Sequence, residues 1–110
     1  MKITDKQMEI LEQYFGVDKT EYANGNFLTL EQWTDGGVDM IIEIEMAEEK
    51  DLITELEKYI DNFNIDEEIE LYRESKDYRE NFTIRESVKD FENWETYVRN
   101  CIKDLKEISK

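Results

Sequence analysis

The sequence predicts a small α+β domain: an antiparallel β-hairpin packed by an N-terminal helix, a middle helix and a long C-terminal helix. Three observations predict it. Apolar residues recur at helical spacing in three separate segments. Between the first two of these, every second residue from Val38 to Met46 is apolar, the period of a half-buried strand. Leu, Ile, Val and Phe together make up 28 of 110 residues, a share above that of disordered chains despite the high charge. A chain of this length is expected to be one domain, residues 1–110, with a core large enough to need no disulfide or metal staple.

The first helix is predicted over residues 5–15. Thr4 followed by Gln7 fits a capping box, and Met8, Leu11 and Phe15 share one face, flanked by Ile10 and Tyr14. Gly16 suits the helix stop because it tolerates positive φ. The segment after it, residues 17–26, is polar and reads as a loop around the turn dipeptide Asn24-Gly25. Residues near 21–23 could nonetheless add a third strand. Residues 26–34 read as a strand, and Asp35-Gly36-Gly37 as its hairpin connection. The return strand, residues 38–46, turns Val38, Met40, Ile42, Ile44 and Met46 inward. A two-stranded sheet is marginal alone, so helices must cover that apolar face.

The middle helix is predicted over residues 48–62. Leu52, Ile53, Leu56, Tyr59, Ile60 and Phe63 form its stripe, with Glu48, Glu49 and Asp51 in its first turn and Asn62 and Asn64 breaking it. Residues 65–72 read as a short helix capped by Asp66, in preference to a short strand. Residues 73–82 are polar, anchored by Tyr78 and Phe82. Thr83 and Glu86 make a second capping box. From there Ile84, Val88, Phe91, Trp94, Val98, Cys101, Leu105 and Ile108 step by three or four, a stripe about 37 Å long at helical rise.

Composition narrows the function. With no histidine, neither a Ser-His-Asp nor a Cys-His catalytic arrangement can be built, and a common zinc ligand is missing. Cys101 falls on the apolar stripe and reads as a buried structural thiol. With 29 acidic residues, carboxylate pairs arise by chance, so they carry no sign of acid–base catalysis. The stretch from Asp61 fails the calcium-loop pattern, because Phe63 and Asp66 stand where a ligand and a glycine are needed. The expectation is a protein that is not an enzyme and uses no cofactor or metal. One cysteine allows no internal disulfide and fits a cytoplasmic setting. The first residues do not read as a signal peptide, and no segment approaches the ~20 apolar residues of a membrane span.

Charge is the dominant feature. The formal net is −15, with 29 acidic against 14 basic residues. Residues 1–70 carry the whole excess, while residues 71–110 are balanced. The densest part runs from Glu43 to Glu70. The candidate surface drawn from it is Glu43, Glu45, Glu48, Glu49, Asp51, Glu55, Asp66, Glu67, Glu68 and Glu70, relieved only by Lys50 and Lys58. Such a field repels phosphate and anionic lipid, which argues against direct nucleic-acid or membrane binding. It suits a basic protein surface. Carboxylates on one strand face repeat about every 6.7 Å, twice the strand rise. That repeat is comparable to the phosphate spacing of a nucleic-acid strand, so a nucleic-acid-binding protein is the favoured partner. In size and charge the chain resembles the small acidic anti-restriction and anti-CRISPR inhibitors of phages and mobile elements. That resemblance implies a non-enzymatic inhibitor or regulator that mimics nucleic acid. The competing expectation is that the charge only solubilises the chain. A further alternative is a homo-oligomeric structural or adaptor protein, a homodimer for instance, whose interface is the stripe Trp94, Val98, Cys101, Leu105 and Ile108.

Overall fold

A computed structural model of the chain describes residues 1–22, 25–33, 39–73 and 84–109. The elements run α1 (Asp5–Tyr14), β1 (Gly16–Tyr22), β2 (Gly25–Trp33), β3 (Asp39–Glu45), α2 (Leu52–Asp61), α3 (Ile65–Arg73) and α4 (Ile84–Ile108). This is the predicted α+β architecture, with three strands in the sheet.

Helix α1 starts where the capping box places it. The Thr4 side chain accepts from the Gln7 backbone N–H, and the Gln7 side chain accepts from the Thr4 N–H. Its end differs from expectation. Phe15, already extended at φ −134°, ψ 157°, closes the helix, and Gly16 is the first residue of β1. The predicted loop after it is therefore a strand. Its polar sequence hides it, and its pairing makes it: every residue of β1 lies opposite one of β2, from Gly16 against Glu31 to Tyr22 against Gly25. Partnership with an apolar neighbour overrides weak intrinsic propensity here.

The sheet is antiparallel in the order β1-β2-β3. Leu28 and Leu30 of β2 lie opposite Ile44 and Ile42 of β3, and all four are buried on the inner face with Met40. Val38 and the Asp35-Gly36-Gly37 connection lie outside the described residues, as do Asn24, residues 74–83 and the proposed Thr83 cap.

Helix α2 begins later than predicted. Asp51 is its N-cap, accepting from the Thr54 backbone N–H at 3.1 Å, so Glu48 and Glu49 precede the helix. Short-range capping decides this boundary: an aspartate three residues before a free N–H satisfies it directly. Helix α3 is confirmed, but Asn64 caps it, its Oδ1 accepting from the Glu67 N–H at 3.2 Å. Asp66 sits one step inside, in the first turn.

Helix α4 is the hub. α1, α2 and α3 each pack on it, and its buried face joins the inner face of the sheet in one hydrophobic cluster. Edge-on aromatic contacts fasten it to α1: the Phe15 and Trp94 ring centroids lie 5.7 Å apart, and Tyr14 and Tyr97 5.0 Å. Trp94 Nε1 donates to the Tyr59 hydroxyl at 2.9 Å, which satisfies a buried indole N–H and ties α2 to α4. The Tyr97 hydroxyl donates to the Tyr14 carbonyl, and the Tyr14 hydroxyl to the Asp104 carboxylate. That bond to Asp104, with burial second, pushes the Tyr14 phenol up to about 12.

Candidate protein-binding surface

The stripe proposed as a contact between copies is used inside the chain. Trp94, Val98, Cys101 and Leu105 are at most 2% exposed, and only Ile108 reaches the surface, at 38%. These residues belong to one hydrophobic cluster with residues of α1, α2 and the sheet, so they are core residues within the chain. The length of the stripe reflects the number of elements that α4 must cover. Burial pushes the Cys101 thiol up to about 12, with the Asp104 charge adding to it, so it is a protonated core group at neutral pH.

The acidic residues divide into three groups. The first is on the sheet. Alternation along β3 turns Glu43 and Glu45 away from the core, with Ile41 on the same face, 46% exposed. The pairing adds residues that the linear reading missed. Glu43 lies opposite Thr29, which lies opposite Asp18, and Ile41 lies opposite Glu31. Residues directly opposite share a face. The outward face therefore carries Asp18, Glu31, Glu43 and Glu45 around Ile41. Asp18 could not be found from sequence, because its strand reads as a loop. The placement of Glu31 comes from the pairing, because Phe27, Leu28, Leu30 and Trp33 give β2 no single apolar phase in the sequence.

The second group has structural employment. Asp51 holds the first turn of α2, accepting from both the backbone N–H and the hydroxyl of Thr54. Glu55 lies 3.7 Å from Lys58, and Glu45 lies 3.4 Å from Lys50. Two acids of the same run outside the proposed surface, Glu57 and Asp61, turn to the opposite side. There they meet Lys106 at 3.3 Å and Arg99 at 3.6 Å across the α2–α4 groove.

The third group makes no ion pair among the described residues, although Lys58 lines the same cleft as Glu43. Glu43, Glu48 and Glu49 are exposed, as are Asp66, Glu67 and Glu70 on α3 beside Leu71, which is 64% exposed. Glu68 differs. It is half-buried in a cleft of about 370 Å³ between β3 and the α2–α3 corner, lined also by Ile42, Glu43, Ile44, Glu55, Lys58, Tyr59, Asn62 and Phe63. Desolvation, and then the neighbouring Glu67 charge, hold its carboxyl above the usual glutamate range.

Among the described residues no group of three or more metal-ligating side chains is placed to hold an ion, and no helix is long and apolar enough to cross a membrane. The chain matches no protein-family model, no curated protein and no solved structure.

Proposed function

We propose that the protein is a non-enzymatic binding module that occupies a basic surface of a partner, most naturally one that otherwise holds nucleic acid. One observation carries this reading: among the described residues, the carboxylates of the outward sheet face other than Glu45, of the β3–α2 turn and of α3 form no ion pair, while Glu57 and Asp61, which face α4, do. A solubilising charge needs no such division. An array of uncompensated charge raises the association rate with an opposite surface and excludes partners of like charge. The strand-like repeat of Glu43 and Glu45 matches the scale of a phosphate backbone. The protein would act as an inhibitor or regulator by competing for that groove.

The test is capture of a partner from lysate at low salt, followed by elution in a salt gradient and competition with duplex DNA. Salt and DNA should both release the partner, since exposed charges are screened over about 10 Å at 0.1 M salt. The triple variant Glu43→Lys, Glu49→Lys, Glu67→Lys should fold and capture nothing. A partner held equally by parent and variant, and indifferent to salt, rules the reading out.

A further inference from the structure

The backbone of β3 says how such a partner is held. Met46 N–H donates to the Asn26 carbonyl at 2.8 Å, which makes 26 and 46 a hydrogen-bonded pair. In an antiparallel ladder such pairs alternate with non-bonded ones. The register then bonds Leu28 to Ile44 and Leu30 to Ile42, so Ile42 and Ile44 spend their backbone groups on β2. Ile41, Glu43 and Glu45 turn theirs the other way. β3 is an edge of the sheet, and among the described residues nothing pairs with that side.

The same three residues thus present outward side chains and outward-edge backbone groups together. Beside them the edge opens into the cleft between β3 and the α2–α3 corner. Its volume, about 370 Å³, falls within the ~300–1,000 Å³ range of ligand sites. Its aromatic wall is anchored: the Tyr59 hydroxyl is held by Trp94, and the Phe63 ring lies 6.4 Å from that of Phe91.

We propose that β3 accepts an extended segment of the partner as a fourth strand, and that this segment alternates basic and apolar residues. The inference rests on the proposed function and specifies its mode of contact. The pattern follows from geometry. In an antiparallel fourth strand, the residues hydrogen-bonded to Ile41, Glu43 and Glu45 lie on the same outward face as those side chains. Next to two carboxylates, those positions take lysine or arginine. The alternate positions fall on the inner side, along Ile42 and Ile44 and against Tyr59 and Phe63, and take apolar residues. Main-chain bonds supply affinity and the alternation supplies selectivity. The carboxylates also repel a second copy of this strand, which keeps the open edge from pairing with itself.

The probe is a short capped peptide alternating lysine and valine, titrated into the isotope-labelled full chain at low salt. The amides of Ile41, Glu43 and Glu45 should shift and gain protection from exchange. A second peptide, methylated on every lysine backbone nitrogen, has the same charge and lacks the donors. It should bind about tenfold more weakly or worse, the scale of one or two lost hydrogen bonds. Glu43→Pro removes an N–H that β2 does not use, so the domain should stay folded by circular dichroism while the parent peptide is lost. Glu43→Gln keeps the N–H and should retain more binding than Glu43→Pro. Equal affinity of the two peptides, or shifts confined to α3, overturns edge pairing and leaves charge-driven binding standing. Failure of both peptides, with partner capture indifferent to salt, overturns both.

Discussion

Helix α4 and strand β3 carry the two clearest apolar periodicities in the chain, and they end differently. The α4 stripe is used up by the fold: Phe91, Trp94, Val98, Cys101 and Leu105 are all at most 2% exposed. Two of its cations are also paired, Arg99 reaching both Asp61 and Glu95, and Lys106 reaching Glu57. β3 buries Met40, Ile42 and Ile44 but leaves Ile41 46% exposed beside Glu43 and Glu45, with its outer edge open among the described residues. A long apolar stripe therefore reports how many elements a helix must cover. A surface left for a partner is better marked by charge without counter-charge.

The sharpest way to break this contrast is to cut into α4. Trp94→Ala removes a ring packed on Phe15 and the donor to Tyr59. It should cost about 3–5 kcal/mol of stability, read from urea unfolding. That is a large part of the roughly 5–15 kcal/mol typical of a domain. A cost below about 1 kcal/mol, the range of surface substitutions, would mean the stripe is not core.

The matching change on β3 should spare the fold and strike binding. The combined variant Asp18→Asn, Glu31→Gln, Glu43→Gln, Glu45→Gln keeps shape and removes four charges. Its association rate with a captured partner should fall about tenfold at low salt, the lower range of electrostatic steering. Its melting temperature at low ionic strength should hold or rise, because self-repulsion is relieved. A lower melting temperature would show that these carboxylates support the sheet.

Much of this layout was legible in the sequence because the signals are local. The Thr4–Gln7 capping box, the β3 alternation and the stripes of α2 and α4 each involve residues within one or two turns. The losses came where partners are distant in the chain. β1 has no apolar alternation of its own and exists by pairing with β2. Asp18 and Glu31 joined the candidate surface only through that pairing. The burial of the α4 stripe within the chain was hidden for the same reason, since periodicity tells that a face is buried and not by what. Helix starts moved where several acids competed for one cap, as at Asp51 and Asn64. A smaller change tests this local legibility: Thr4→Ala should cost about 1 kcal/mol by losing the Gln7 N–H acceptor, with partner binding unchanged.

Glu68 offers the finest test, because it belongs to both regions. It sits in the β3 cleft, yet the burial that comes with packing holds its carboxyl above the usual range, with Glu67 adding to the effect. A raised carboxyl binds its proton more tightly in the native state than in the unfolded chain. Below the unfolded value, about 4.3, both states are protonated and nothing is lost. As pH rises through the raised native value, the native state is penalised, and stability falls and stays lower. Glu68→Gln should therefore be slightly more stable than the parent at neutral pH, with the gap closing below about pH 4, the unfolded range. Urea unfolding at the two pH values measures it, and an unchanged gap would place the carboxylate in open water. The strand proposed for β3 brings apolar residues to this cleft, so the same substitution, by removing a half-buried charge, should leave partner binding equal or stronger. A loss of binding would instead place a cation of the partner at Glu68.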